Sequence, residues 1–288
     1  MKNLGGEIAA LEALREMKTR IMTAAIAVPL LLIIILALPK IFAAILFGFM
    51  CALAAYELLM AVGFGKNIRL VIYSAVMALL VALWSYFGCS QVWASAGLLI
   101  FSAVLFTEMM LSHIKLRFEK IAICFVAGVV IPFLFCGLIR IHTVDGSGRF
   151  FVLIPFIIAF VSDSGAYFTG LHFGRRKLAP VISPNKTVEG AIGGVAAATA
   201  SMLLYMFIVD IAFGFSVNYF AVILYGIVCS AAGVFGDLCF SVIKRQFGVK
   251  DYGTLIPGHG GIMDRFDSMI IVAPLVEVLL TLIPVAVK

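Results

Sequence analysis

Charge is scarce in this chain. Only 12% of its 288 residues are Asp, Glu, Lys or Arg, against 64% hydrophobic, whereas a soluble domain is nearer a quarter charged and half apolar. That excludes a water-soluble globular protein and leaves a polytopic membrane protein. Glycine and proline interrupt the apolar runs without ending them, as membrane helices tolerate. No C-x-x-C pair occurs among Cys51, Cys89, Cys124, Cys136, Cys229 and Cys239. All but Cys89 lie within apolar segments, so buried reduced thiols are expected rather than a zinc or disulfide framework. No G-K-[ST] follows the glycine-rich turn at Pro257–Gly261, which excludes a Walker A loop, and no Ser-His-Asp or Cys-His constellation is present. His113, His142 and His172 are single and scattered and read as interfacial residues. Long linkers, low-complexity tracts and clear repeats are missing, and residues 1–20 are too charged for a cleaved signal peptide.

What is present is a series of apolar runs. About 20 such residues cross a bilayer as a helix, and nine runs qualify: Ile21–Leu38, Ile41–Met60, Leu70–Phe87, Val92–Leu111, Ile121–Ile139, Phe150–Leu171, Val188–Phe213, Tyr219–Ile243 and Phe266–Val287. The expected fold class is therefore all-α with about nine transmembrane helices. The net charge of +6 would suit nucleic acid, but the bases fall in short loops, so no nucleic-acid partner is expected. Seventeen of the 21 Lys and Arg lie in the N-terminal segment and in alternate loops, against Lys40, Arg140, Arg149 and Lys288 on the other side. The positive-inside rule then places the N-terminus in the cytoplasm and the C-terminus outside. The chain divides into a cytoplasmic segment (1–20), five spans (21–149) and a four-span catalytic region (150–288) with two cytoplasmic motif loops. Glu7–Lys18 reads either as an amphipathic interfacial helix or as a solvated tail.

The polar residues concentrate in those two loops, although each charge at membrane depth costs roughly 2.5–3.5 kcal/mol on insertion scales. The first runs from Phe160 to Gly194. Asp163 lies inside the sixth span between Ser162 and Ser164, and an intramembrane acid is a functional candidate. Arg175, Arg176 and Lys177 read first as topological charges. Ser183–Thr187 reads as a turn opening a helix, with Thr187 as its cap and Glu189 in its first turn, where the dipole favours an acid. Lys186, beside that helix N-terminus, suits a phosphate ligand. The second loop, Gly233 to Ser268, holds Asp237, Asp251, Asp264, Asp267, Lys244, Arg245, Lys250, Arg265 and His259. Asp264 and Asp267 are three apart and share a helix face, and Asp237 comes from the preceding span. Three carboxylates from two helices form a hard oxygen site suited to magnesium, or else they pair with Arg265 and Lys244. The turn that contains His259 and Gly260 has the backbone freedom to bring amide N–H groups against an anion. His259 either orients a phosphate oxygen or caps that turn.

At these loops the chain resembles the bacterial-type phosphatidate cytidylyltransferase (CDP-diacylglycerol synthase) family. The signature S-x-x-K-R-x-x-x-x-K-D-x-G-x-x-x-P-G-H-G-G-x-x-D-R-x-D-S runs without a gap from Ser241 to Ser268. It is preceded by Gly236-Asp237-Leu238. The upstream pattern S-D-[ST]-G-A-Y-x-x-G-x-x-[FG]-G, then I-S-P-x-K-T-x-E-G, is present between Ser162 and Gly190. Where many members have lysine, this chain has Asn185. The resemblance is strong over the C-terminal 130 or so residues and mainly one of hydropathy over residues 20–150.

The resemblance implies transfer of cytidylate from CTP to phosphatidic acid, giving CDP-diacylglycerol and pyrophosphate, in the inner (plasma) membrane with the site facing the cytoplasm. It implies Asp237, Asp264 and Asp267 as ligands of magnesium, with a monovalent cation, potassium, nearby. It gives Lys186, Lys244, Arg245, Lys250 and Arg265 to phosphates, leaves Asp163, Thr187, Glu189, Asp251, His259 and Gly260 to complete the site, and implies a homodimer. Ser241 either donates a hydrogen bond there or packs within the eighth span. Rival readings are a transferase acting on another lipid phosphate or lipid alcohol, and a secondary transporter, whose inverted halves should carry matching polar breaks.

Overall fold

The computed structural model describes residues 18, 22–23, 25–112, 115–144, 146–256 and 260–287. Three helices lead: α1 (Ala25–Leu36), α2 (Lys40–Ala61) and α3 (Ile68–Phe87). Pro39 precedes α2, and Gly88, left-handed at φ 59°, ends α3. The fourth, α4 (Gln91–Leu111), is peripheral, burying only Phe101 and Leu105.

The fifth expected span is not one helix. It is α5 (Phe118–Phe125), a π-helical turn (Val126–Val130), α6 (Ile131–Phe135) and α7 (Gly137–Thr143). Pro132 has no N–H for the carbonyl of Gly128, and the helix widens to π in the turn before it. The sixth span also starts in two pieces, α8 (Gly148–Phe151) and α9 (Leu153–Phe173).

The next segment corrects the expectation of a turn at Ser183–Thr187. Those residues form strand β2, paired antiparallel with β1 (Lys177–Ala179). Helix α10 (Val188–Phe213) follows directly, its first turn capped by the Thr187 hydroxyl, which accepts from Gly190 N–H at 3.1 Å. After β3 (Ser216–Val217) come α11 (Tyr219–Gln246) and α12 (Ile262–Leu282). The last helix stops at Leu282 rather than Val287, because β4 (Ala286–Val287) pairs with β3 instead. The fold is thus mainly helical, as expected, with two short two-stranded sheets added: the local β1–β2 pair and the β3–β4 pair that joins distant segments.

Among the described residues, seven helical stretches are long and apolar enough to cross a membrane. Of the two other expected spans, α1 is shorter, and α12 has the length but carries Asp264, Arg265, Asp267 and Glu277. The expected interfacial helix at 7–18 lies outside the described residues apart from Lys18. All six cysteines are free; Cys51, Cys124, Cys136 and Cys229 are buried as expected, whereas Cys239 is only partly buried.

Two kinds of packing position the site. Helices α9 and α10 approach through small residues: a Cβ on Gly193 would meet Thr169 Oγ1 at 2.2 Å, and one on Gly165 would meet Ala197 Cβ at 2.6 Å. This is the small-residue contact by which membrane helices bring their backbones together. Helix α12 lies between the halves, touching α2, α6 and α7 on one side and α9 and α11 on the other. Edge-on aromatic contacts link these elements, Phe47 to Phe135 at 6.1 Å and Phe135 to Phe266 at 5.5 Å.

Candidate active site

The close approach of α9 and α10, with α11 and α12 beside them, encloses a cavity of about 690 Å³, within the usual range for a small-molecule site. Five aspartates line it: Asp163 from α9, Asp237 from α11, Asp251 from the following loop, and Asp264 and Asp267 from α12. Four bases face them: Lys177, Lys186, Lys244 and Arg265. The two motif loops, separated by 38 residues in sequence, therefore meet at one place.

The ionic pairing is specific. Lys186, at the end of β2, pairs with Asp237. Lys244, in the last turn of α11, reaches Asp264 Oδ1 at 3.0 Å and Asp267 Oδ2 at 3.8 Å. Its ammonium also stands 5.4 Å from the Tyr252 ring centre. The Asp264 side chain is only 3% exposed, and its other oxygen, Oδ2, accepts the N–H groups of Tyr252 (2.8 Å) and Gly261 (3.1 Å). Asp267 Oδ1 accepts Ser268 N–H at 2.8 Å. Ser241 donates to Asp237 Oδ1 at 3.4 Å but does not itself line the cavity. Burial pushes the Lys186 ammonium below the ordinary lysine range, opposed by the charges of Asp163 and Asp267.

The residues do not all arrive where the sequence reading puts them. Arg245 and Lys250 do not line the cavity. Arg245 turns outward to the carbonyls of Ile182 and Val249, both at 3.3 Å. Neighbours on a helix point about 100° apart, so Lys244 and Arg245 cannot face one ligand together. Glu189 holds the Arg175 and Arg176 backbone N–H groups at 3.0 and 3.1 Å; it braces the turn before β1 and does not line the cavity. Gly260, at φ 83°, accepts Ile256 N–H at 2.9 Å. His259 lies outside the described residues.

Lys177, which the sequence presents first as a topological charge, and Tyr167, a motif position without an assigned role, both line the cavity. A third residue, Glu57, touches the site from behind: its carboxylate accepts the N–H groups of Ile262 and Met263. A lone acid inside the second apolar run is the signal that would have found it.

Among the described residues no three His, Cys, Asp or Glu side chains cluster tightly enough to hold an ion together. Asp264 and Asp267 nevertheless converge on one cation, the Lys244 ammonium, and Asp237 converges on another, Lys186. Hard oxygen donors already gathered around positive charge in one cavity fit magnesium by donor chemistry. They are arranged as a pair plus one rather than as a trio.

The cytidylyltransferase family matches this chain over residues 18–283. A phosphatidate cytidylyltransferase of Staphylococcus haemolyticus is 35% identical over 269 residues, covering 92% of this chain and 99% of that protein. One of Staphylococcus aureus is 34% identical over 266 residues with the same coverage. One of Staphylococcus saprophyticus is 38% identical over 184 residues, covering 64% of this chain and 68% of that protein. With the match running through nearly every element that builds the cavity, the chain belongs to the cytidylyltransferase family.

Proposed function

We propose that this protein transfers the cytidylyl group of CTP to phosphatidic acid, releasing pyrophosphate and forming CDP-diacylglycerol. The observation that carries the reading is the cavity, in which five aspartates and four bases from both motif loops face one another between apolar helices. In this reading the protein has nine spans, its N-terminus and cavity face the cytoplasm, and its acids take magnesium, with potassium as second cation. The strong bias of Lys and Arg toward alternate loops supports that orientation.

The chemistry follows from the charges. A phosphate oxygen of phosphatidic acid forms a bond to the α-phosphorus of CTP, and the bond from that phosphorus to the bridging oxygen breaks, so pyrophosphate leaves with the electron pair. A phosphomonoester has its second pKa near 6, so the attacking phosphate is largely dianionic at neutral pH and needs no strong base. The obstacle is repulsion between two polyanions, and the cavity lining alone has one more acid than it has bases. Asp264 and Asp267, with Asp237, would hold magnesium, which when bound screens phosphate charge and stabilises the departing oxygen. Lys186 and Lys244 rest on these acids and lie within the same cavity, so their ammonium groups are placed to move onto phosphate oxygens. Arg265 and Lys177 add fixed positive charge, and the alignment of both substrates supplies the rest of the acceleration.

The test is direct. Purified protein in detergent, given magnesium and radiolabelled CTP, should yield labelled CDP-lipid only when phosphatidic acid is added, and a chelator should stop it reversibly. Absence of labelled lipid under those conditions, or equal labelling of a lipid alcohol, overturns the reading.

A further inference from the structure

Glu57 is an acid on the inner face of α2, only 2% exposed, and it does not line the cavity. Its two oxygens are both engaged by the start of α12. Ile262 N–H donates to Oε1 at 3.1 Å and Met263 N–H to Oε2 at 2.9 Å. The chain encloses the carboxylate on two further sides: a Cβ on Gly261 would lie 2.4 Å from Oε2, and one on Gly253 would lie 2.5 Å from Oε1. The preceding N–H, that of Gly261, donates to Asp264 Oδ2. The N-terminus of α12 is thus filled from within the protein, by Asp264 from its own first turn and by Glu57 from another helix. A full negative charge with two acceptors suits the positive end of a helix dipole and two orphan N–H groups. It also leaves those N–H groups no room for a substrate phosphate.

We infer that Glu57 is a positioning residue of the reaction. It moors the first turn of α12 to α2, and that mooring sets the height and rotation at which Asp264, Arg265 and Asp267 enter the cavity. Each residue of a helix turns about 100° and rises about 1.5 Å, so a slip of the first turn moves all three side chains together. Gly253 and Gly261 are glycines because the Glu57 carboxylate occupies the space a side chain would need. Gly261 has φ −85°, so an alanine there is opposed by space alone.

The inference rests on the cytidylyl-transfer reading, and its test separates the two. In the full-length protein, Glu57→Gln keeps one acceptor oxygen and sets an NH2 donor against the other N–H. It should lower kcat about tenfold to a hundredfold, leave KM for CTP and phosphatidic acid within about twofold, and raise the magnesium concentration at half-maximal rate. Glu57→Asp, one methylene short, should lie between. Loss of folded protein alone would lower the rate without moving the magnesium midpoint. A second measurement needs no substrate: Gly261→Ala should lower the melting temperature with Glu57 present and should not lower it in a Glu57→Ala background, where the added methyl has space. A wild-type kcat and magnesium midpoint in Glu57→Gln, or an equal thermal loss from Gly261→Ala in both backgrounds, overturns the inference. If the unmodified protein makes no CDP-lipid, the cytidylyl-transfer reading fails while the thermal comparison still decides whether the mooring exists.

Discussion

The two halves of this molecule use charge differently. From α8 to α12 five aspartates and four bases line one cavity and oppose one another there. From α2 to α7 buried or half-buried charges hold other parts of the fold instead. Glu57 holds the start of α12. Near the other end of α12, Arg140 of α7 grips Glu277 through two hydrogen bonds of 2.6 and 2.7 Å and stacks on Phe133. Lys40 of α2 donates to the Thr143 carbonyl at the end of α7. The apolar half is therefore the frame that clasps α12 near both ends, and the polar half supplies the charged groups that line the cavity.

Substitutions can sharpen or break that contrast. The largest effect is expected from Asp264→Asn. Asparagine keeps an oxygen for the Tyr252 and Gly261 N–H groups, so the helix start survives, but the charge facing Lys244 is gone. Turnover should fall about 100- to 1,000-fold with folded protein retained in the membrane; full activity would remove Asp264 from the chemistry. Next is Lys244→Ala, which leaves two carboxylates with side chains under a tenth exposed without their cation. Both properties should suffer, activity by about 100-fold and stability by about 3 kcal/mol, read by CDP-lipid formation and thermal unfolding. Arg140→Met is the counterpart in the frame. The pair it breaks is 21% and 28% exposed, so about 1–3 kcal/mol of stability should be lost, with KM and the magnesium requirement unchanged. A raised KM would show that the clasp at that end also reaches substrate.

The same contrast explains what could be read before the structure. In a chain this apolar, Asp163, Lys186, Asp237, Lys244, Asp264, Arg265 and Asp267 stand out as charges, and all seven line one cavity. The seven long apolar helices were equally plain from hydropathy. What escaped was direction and pairing. Proline and asparagine disfavour strands, so Ser183–Thr187 read as a turn until its partner β1 was visible. Arg245 shares a motif with Lys244 but points away around the helix. The break near Pro132 hides in a run whose hydropathy never drops. Glu57 belongs to no polar cluster in sequence, because the groups it serves lie some 200 residues downstream.

The smallest effect concerns the pH at which the cavity loses a charge. Burial holds the Lys186 ammonium below its ordinary value of 10.5. A lysine with a lowered pKa is charged below that pKa and loses its proton as pH rises through it, sooner than a free lysine would. The rate should therefore decline on the alkaline side before pH 10.5, with Asp237 left facing a neutral amine. Arginine stays protonated across this range, so Lys186→Arg should move the alkaline limb upward, even though its larger fork lowers the plateau rate by a few-fold. An alkaline limb that stays in place in Lys186→Arg would assign the decline to another base. Lys244 would then be the next to exchange, since it is the other ammonium resting on the cavity acids.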